Sequence, residues 1–279
     1  MSIYEMPVYR PPSEANSLLV QVAHGCSYNK CIFCYMYKGV QYKAKSFDEI
    51  VKHTKNLKTQ YKNPTRVFLV GGDVFNIDTN TLLDIINLIK KEFPNIQRIS
   101  SYCSAINALK KSHEELNSLR NAGVSLLYLG IESGSDIVLD GMCKGVTKHE
   151  TITGCQNLQA AGFDLSVMVI SGLGGRNYLK EHAIETAKVI NSISPKYFSL
   201  LSLEIKNDNL LKGMKKRFDF IELIPKEIME ETILMLENIE VKNCTFRSNH
   251  ASNYVRLMGT LSQDREKLIN ILNEVIKTL

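Results

Sequence analysis

Six apolar runs, each followed by a segment of helical period, recur at intervals of roughly 30 to 45 residues, and this alternation limits the fold more than any other feature. The runs are Leu18 to Ala23, Arg66 to Val70, Arg98 to Cys103, Leu126 to Ile131, Leu165 to Ile170 and Tyr197 to Leu203. Amphipathic helices are predicted at Phe47 to Lys58, Asn80 to Glu92, His113 to Asn121, Lys148 to Ala161 and Lys180 to Ile193. Ser112 followed by Glu115 fits a capping box, and Gly123 and Gly162 stand where helices end in left-handed geometry. Strands apolar on both faces, each leading into a helix, imply an α/β fold with a helix-covered parallel sheet. Six such units suggest a partial TIM-type (βα)6 barrel. The remainder reads as a C-terminal helical extension, with helices at Ile224 to Ile239 and Asp264 to Leu279 flanking the short segment Val241 to Arg247. No linker, internal repeat or low-complexity tract divides the chain, so one domain over 1–279 is expected, with its core at about 18–204 and the extension at about 205–279 closing the barrel.

A chain of 279 residues can bury a substantial core without disulfides, and 44% hydrophobic with 23% charged residues is ordinary globular usage. The net charge of +5 comes from dispersed lysines, as in Lys110-Lys111 and Lys212 to Arg217, which read as solvated surface rather than a nucleic-acid face. No apolar run approaches the roughly 18 residues of a membrane span, and Met1 to Pro12 lacks the pattern of a secretion signal. The expectation is a cytoplasmic protein with no membrane partner. Its seven cysteines are odd in number and three fall within nine positions, which in a reducing compartment favours metal ligation over disulfides.

In parallel barrels chemistry gathers where strands end and the following loops begin. The unusual signals sit there: the cysteines after strand one, Gly71-Gly72-Asp73 after strand two, Ser101-Tyr102-Cys103 closing strand three, Glu132-Ser133-Gly134 closing strand four and Ser171 to Gly175 closing strand five. Cys26, Cys31 and Cys34 are spaced so that one tight loop can wrap three corners of an iron-sulfur cube, which leaves one iron open to a ligand. The alternative is structural zinc, which needs a fourth donor such as His24, Cys103 or a more distant cysteine.

From Leu18 to Leu203 the order of these motifs resembles the radical S-adenosylmethionine (SAM) superfamily. Phe33 fills the aromatic place before the last cysteine, while four residues rather than the more common three separate Cys26 from Cys31. Gly71, Gly72 and Asp73 look like the glycine-rich segment that meets the methionine amino group of the cofactor, with Asp in a place often held by Glu. Glu132 and Ser133 resemble the strand-four residues that hold the ribose or carboxylate, the alternative being a helix cap at Ser133 or Ser135. Gly172 and Gly174 are similar to the glycine motif near the adenine. His24 is a candidate donor to a cluster sulfur or a structural histidine. Gly130 to Asp136, Gly172 to Ala187 with Glu181-His182-Ala183, and Ser248 to Tyr254 carry a closer resemblance to the small, uncharacterised proteins grouped with oxygen-independent coproporphyrinogen oxidase.

The resemblance implies a [4Fe-4S] cluster and S-adenosyl-L-methionine as cofactors, an oxygen-sensitive site, a reducing partner such as flavodoxin or ferredoxin, and reductive SAM cleavage to a 5'-deoxyadenosyl radical that attacks a small polar substrate. Arg247, His250 and Tyr254, in the polar segment after the strands, are candidates for substrate binding, with a hydrogen-bonded loop as the alternative. Cys103 is a hydrogen-atom donor or an inert core residue. A cluster-binding accessory or heme chaperone, a zinc-stabilised binding protein and an RNA-modifying enzyme remain open alternatives.

Overall fold

A computed structural model describes residues 3–206 and 208–279, so Met1 and Ser2 of the entry segment and Asn207 of the extension lie outside the described residues. The chain divides into two compact units: Met1–Asn29, Met36–Leu129 and Gly154–Asp164 form one, and Lys30–Tyr35, Gly130–Thr153 and Leu165–Leu279 form the other.

The first unit holds β1 (Leu18–Gln21), β2 (Ala23–His24), β3 (Lys43–Ala44), β4 (Arg66–Val70), β5 (Arg98–Tyr102) and most of β6 (Val124–Glu132). β1 runs parallel to β4 with Leu19 opposite Phe68, β4 to β5 with Val67 opposite Ile99, and β5 to β6 with Ser101 opposite Leu127. All four residues Val67 to Val70 are buried, as a sheet covered on both faces requires. β2 and β3 form a separate antiparallel ribbon. The helix Phe47–Gln60 opens with a Ser46–Glu49 capping box, Thr79–Glu92 with Asp78 accepting from the Thr81 N–H, and His113–Asn121 with the expected Ser112–Glu115 box. Gly123 (φ +112°) and Gly162 (φ +88°) take the positive φ that their places after helices predict. A short helix, Ala105–Leu109, was not legible in the sequence.

The second unit holds the end of β6, most of β7 (Asp164–Ser171), and β8 (Tyr197–Ser202), β9 (Thr245–Ser248) and β10 (Leu257–Thr260). β7, β8 and β9 are parallel, with Val167 opposite Phe198 and Phe198 opposite Phe246, and β10 returns antiparallel to β9. The extension therefore contributes a further parallel strand and an antiparallel edge besides the helices Pro225–Glu237 and Arg265–Ile276, and Asp208–Phe218 is an additional helix. Thr245 and Arg247 interrupt the apolar run, so β9 read as a connecting segment, yet Phe246 is fully buried with its ring 5.5 Å from that of Phe198. One face of these strands, carrying Val167, Val169, Phe198, Leu200 and Phe246, is buried, whereas Met168, Ile170, Tyr197, Ser199, Leu201 and Arg247 on the other face are half-buried. Each unit is thus a parallel sheet with helices, the α/β class that the strand-helix alternation predicts. Among the described residues no helix is long and apolar enough to cross a membrane.

In the first unit a buried charge ties the entry segment to the sheet. Glu14, wholly buried, accepts from the Arg98 guanidinium at 2.8 Å, from the Tyr128 hydroxyl at 2.7 Å and from the Ser17 hydroxyl. Arg98→Met keeps the stem volume but leaves that carboxylate without its cation, and should cost about 3–5 kcal/mol in denaturant unfolding. Unfolding within about 1 kcal/mol of wild type would show that the Arg98–Glu14 pair contributes little to stability.

Candidate functional site

In the first unit the turn after β4 is built against the first cysteine. The Gly72 N–H donates to the Gly25 carbonyl at 2.9 Å, and a Cβ at Gly72 would lie 2.7 Å from the Cys26 Cβ and 2.8 Å from its Cα. Only glycine fits there. Gly71 is also close-packed, its notional Cβ 3.0 Å from that of Ala23. Gly25 is left-handed (φ +81°), as is Asn29 (φ +46°) inside the four-residue spacer. The Asn29 side-chain amide donates to the carbonyls of Tyr37 (2.8 Å) and Val40 (3.3 Å), pinning the spacer to the segment beyond the cysteines. Cys26 itself is half-buried, and His24 keeps a buried Nδ1 without a hydrogen-bond partner.

Asp73, next to the glycines, is buried and turned inward. Its Oδ2 accepts from the Asn107 amide at 2.6 Å and its Oδ1 from the Ser104 N–H at 3.3 Å. The Cys103 thiol donates to the Ser104 carbonyl at 3.3 Å, and burial, reinforced by the negative Asp73, pushes its pKa well up, so it stays protonated.

In the second unit Cys31 and Cys34 pack against an apolar cluster that includes Phe33, Val138, Met142, Leu173, Phe218 and Phe220. The Ile32 N–H donates to the Met142 carbonyl at 3.1 Å, and Phe33 is 7% exposed, so this half of the loop is anchored by its aromatic. Lys144 reaches Glu132 at 3.1 Å. Burial opposes the Lys144 charge, but Glu132 and the Cys31 and Cys34 sulfurs outweigh it and the pKa rises. Glu132 is left-handed (φ +64°), and its carboxylate folds back over Gly130, where any Cβ would lie 2.0 Å from Glu132 Oε1.

Two helices hold the turns after β6 and β7 from behind. From Leu179–Ile193, His182 Nδ1 pairs with the Ser133 hydroxyl at 2.8 Å and Thr186 accepts from the Gly134 N–H at 2.9 Å. Ser133 also accepts from the Ser135 N–H at 3.0 Å, and Ser135 caps the helix Asp136–Gly141. From Pro225–Glu237, Glu231 accepts from the Gly172 N–H at 2.7 Å. Gly172 is left-handed (φ +84°) with its notional Cβ 2.7 Å from Ile228 Cδ1, and a Cβ on Gly174 would lie 3.0 Å from that of His182. The His182 Nε2 and Glu231 Oε2 atoms are 4.0 Å apart, both side chains fully buried. Burial raises the Glu231 pKa to about 8 and lowers that of His182 to about 4, so at neutral pH both are uncharged.

The residues predicted for substrate stand apart from one another in their contacts. The Arg247 guanidinium lies over the Tyr197 ring, 5.5 Å from its centroid. His250 Nδ1 is 2.8 Å from the Ser252 hydroxyl and accepts from the Ser252 N–H at 3.1 Å. Ser252 and Asn253 in turn bond to Ser202, and Asn253 to the Leu200 carbonyl, docking this segment on the end of β8. Tyr254 is 58% exposed.

Among the described residues no three His, Cys, Asp or Glu side chains, the three cysteines included, converge as a single metal ion requires. A cube spreads its protein ligands over separate irons, and three half-buried thiols on one pinned loop, two of them beside a lysine that favours thiolate, suit that group.

A family model described as the radical SAM superfamily matches residues 20–190. The chain belongs to this superfamily of enzymes, and its cofactors are a [4Fe-4S] cluster and SAM. It is 28% identical over 193 residues to a tRNA-2-methylthio-N(6)-dimethylallyladenosine synthase of Bordetella petrii, covering 66% of this chain and 39% of that protein. It is 23% identical over 162 residues to the heme chaperone HemW of Bacillus subtilis, covering 57% and 42%. It is 25% identical over 146 residues to an uncharacterised methyltransferase of Pyrococcus horikoshii, covering 52% and 30%. The chain thus spans less than half the length of these relatives. In fold it is similar to coproporphyrinogen III oxidase from Escherichia coli (TM-score 0.58, 16% identity, 79% of this chain and 52% of that one) and to methylornithine synthase (0.55, 15%, 93% and 81%).

Sequence reasoning missed Lys144, Asn107 and Glu231, and quoted His182 without a role. Glu231 lies in an ordinary amphipathic helix, and only its burial beside Gly172 distinguishes it. Its carboxyl keeps a proton up to about pH 8 in the folded chain but loses it near 4.5 when unfolded, so between those values the folded state binds more protons and stability falls as pH rises. His182 acts oppositely, weakening the fold as pH drops from 6.5 to about 4. Glu231→Gln should therefore gain stability relative to wild type more at about pH 8 than at about pH 4.5 in urea titrations. An equal difference at both would mean that Glu231 does not titrate as a buried acid.

Proposed function

We propose that this protein reductively cleaves SAM, and that the cluster and cofactor, when bound, supply a 5'-deoxyadenosyl radical that removes a hydrogen atom from a small polar substrate. The observation that carries this reading is the pinned cysteine loop: backbone packing at Gly72 and the Asn29 tether support one half, and Phe33 with Lys144 supports the other. Cys26, Cys31 and Cys34 hold the cluster, and three protein donors leave one iron for the cofactor. The Gly71-Gly72 backbone and the polar groups of Glu132 serve SAM. Asp73, Ser133, Gly172 and Gly174 position those turns, since their polar atoms or side-chain space are already taken by Asn107, His182, Glu231 and Tyr178. Cys103, buried and protonated, acts as a core thiol. The chain works as one domain in the cytoplasm, and flavodoxin or ferredoxin supplies the electron.

Anaerobic reconstitution with iron and sulfide should give a brown protein that forms 5'-deoxyadenosine on reduction with SAM. Cys31→Ser should lose both colour and product. A cluster without product would favour an accessory or heme-chaperone role, the reading that similarity to HemW brings in. Colourless, zinc-containing protein would exclude a radical enzyme, and salt-dependent RNA binding would redirect the substrate search.

Gly72→Ala keeps every thiol but drives a methyl group into Cys26. It should lower iron per chain several-fold on reconstitution while changing global stability by only about 1–3 kcal/mol. Full iron loading would show that Cys26 does not depend on this contact.

A further inference from the structure

The half-buried face of the second unit's sheet has its charge concentrated in one place. Register sets Arg247 opposite Ser199 on β8 and Met258 on β10, and Ser199 opposite Met168 on β7. These positions and their neighbours Ile170 and Leu201 bring hydroxyl and apolar groups but no carboxylate. Glu132 and Glu204, at the ends of β6 and β8, are already paired with Lys144 and Lys206. The Arg247 guanidinium lies over Tyr197 at 5.5 Å, and Lys196 approaches the same ring at 5.8 Å. Among the described residues Arg247 has no hydrogen-bond acceptor and no counter-ion.

No Arg247 nitrogen is a buried donor without a partner, so the guanidinium stays open to a ligand from solvent, and its planar fork matches an oxoanion held by two bonds. The cation-π contact with Tyr197 holds the guanidinium near this ring in advance, which lowers the ordering cost on binding. Ile170, on the same face one row beyond Met168, packs on the apolar cluster that Cys31 and Cys34 also touch. From Arg247 to that row is two residues along and two strands across, on the order of 10 Å.

Resting on the radical reading above, we infer that Arg247 is the anion anchor for the substrate: a small molecule with a carboxylate or phosphate at one end and its reacting C–H on the order of 10 Å away. Tyr197 positions the guanidinium, and the Ser199 hydroxyl beside it offers a further donor. His250, committed to Ser252, orients the neighbouring segment instead of binding this anion.

The test uses anaerobically reconstituted protein saturated with SAM, so that the carboxylate of the cofactor cannot occupy the site under study. Isothermal titration compares glutarate with glutaramide, and glycerol 3-phosphate with glycerol. One or both anions should bind and the neutral counterparts should not; which anion binds distinguishes carboxylate from phosphate. Arg247→Gln should weaken binding at least tenfold, and Arg247→Lys should fall between. Ser199→Asp supplies an internal acceptor opposite Arg247 and should abolish anion binding while leaving the thermal midpoint equal or higher, which guards against a folding defect in the arginine variants. Binding of neither anion by wild type, equal binding of neutral probes, or undiminished binding in both Arg247→Gln and Ser199→Asp overturns the inference. 5'-Deoxyadenosine formation by wild type without probe is scored separately, and its absence would sink the radical reading itself.

Discussion

The end of β4 lies so close to the first cysteine that no side chain fits between them, and the functional arrangement depends on that contact. Gly72 donates to Gly25 across the gap, which sets the height of Cys26 by backbone geometry rather than by a rotamer. The Cys26 backbone held in this way does not depend on how neighbouring side chains rearrange. The extra spacer residue before Cys31 is accommodated in the same manner, since Asn29 adopts a left-handed turn and returns its amide to Tyr37 and Val40. The second half of the loop relies instead on burial, with Phe33 in an apolar cluster and Lys144 offsetting the negative charge of Glu132 and the sulfurs.

Holding the other turns requires polar groups deep inside the second unit, and their protonation decides the cost. Charged, His182 and Glu231 would each carry a large desolvation penalty. Neutral, they still bond to Ser133 and Gly172 while leaving His182 Nε2 and Glu231 Oε1 without hydrogen-bond partners. Apolar residues at these places would pack more cheaply but could not bond to backbone or hydroxyl at a strand end. The turn geometry is therefore bought with stability.

Local chemistry was legible and long-range pairing was not. β4 at Arg66–Val70 and the helix His113–Asn121 agree with the sequence reading residue for residue, because apolar runs and a capping box are properties of neighbouring residues. Asp73 draws attention in the sequence by its place beside Gly72, whereas its oxygens are taken by Asn107 and the Ser104 N–H, 34 and 31 positions away, which no local pattern encodes. Lys144 is hidden for the same reason: it acquires meaning only once Glu132, Cys31 and Cys34 are folded around it. β9 was passed over because its outward residues, Thr245 and Arg247, are polar. A four-residue strand with polar residues at alternate positions looks like a connection until its partner is known.

The alternation in β9 separates two tasks on its two faces. A strand that only completed a sheet would be free to present apolar or neutral residues on its half-buried face, as Leu201 does on β8 and Met168 on β7. β9 instead combines a fully buried Phe246 with an adjacent Arg247, so one short element fixes its position from one side and presents a cation from the other. The packing of Phe246 on Phe198 makes the guanidinium dependable in position, because the backbone that carries it cannot shift without opening the core. A cation placed with that rigidity, and without a counter-ion among the described residues, is arranged for a charge that arrives from outside.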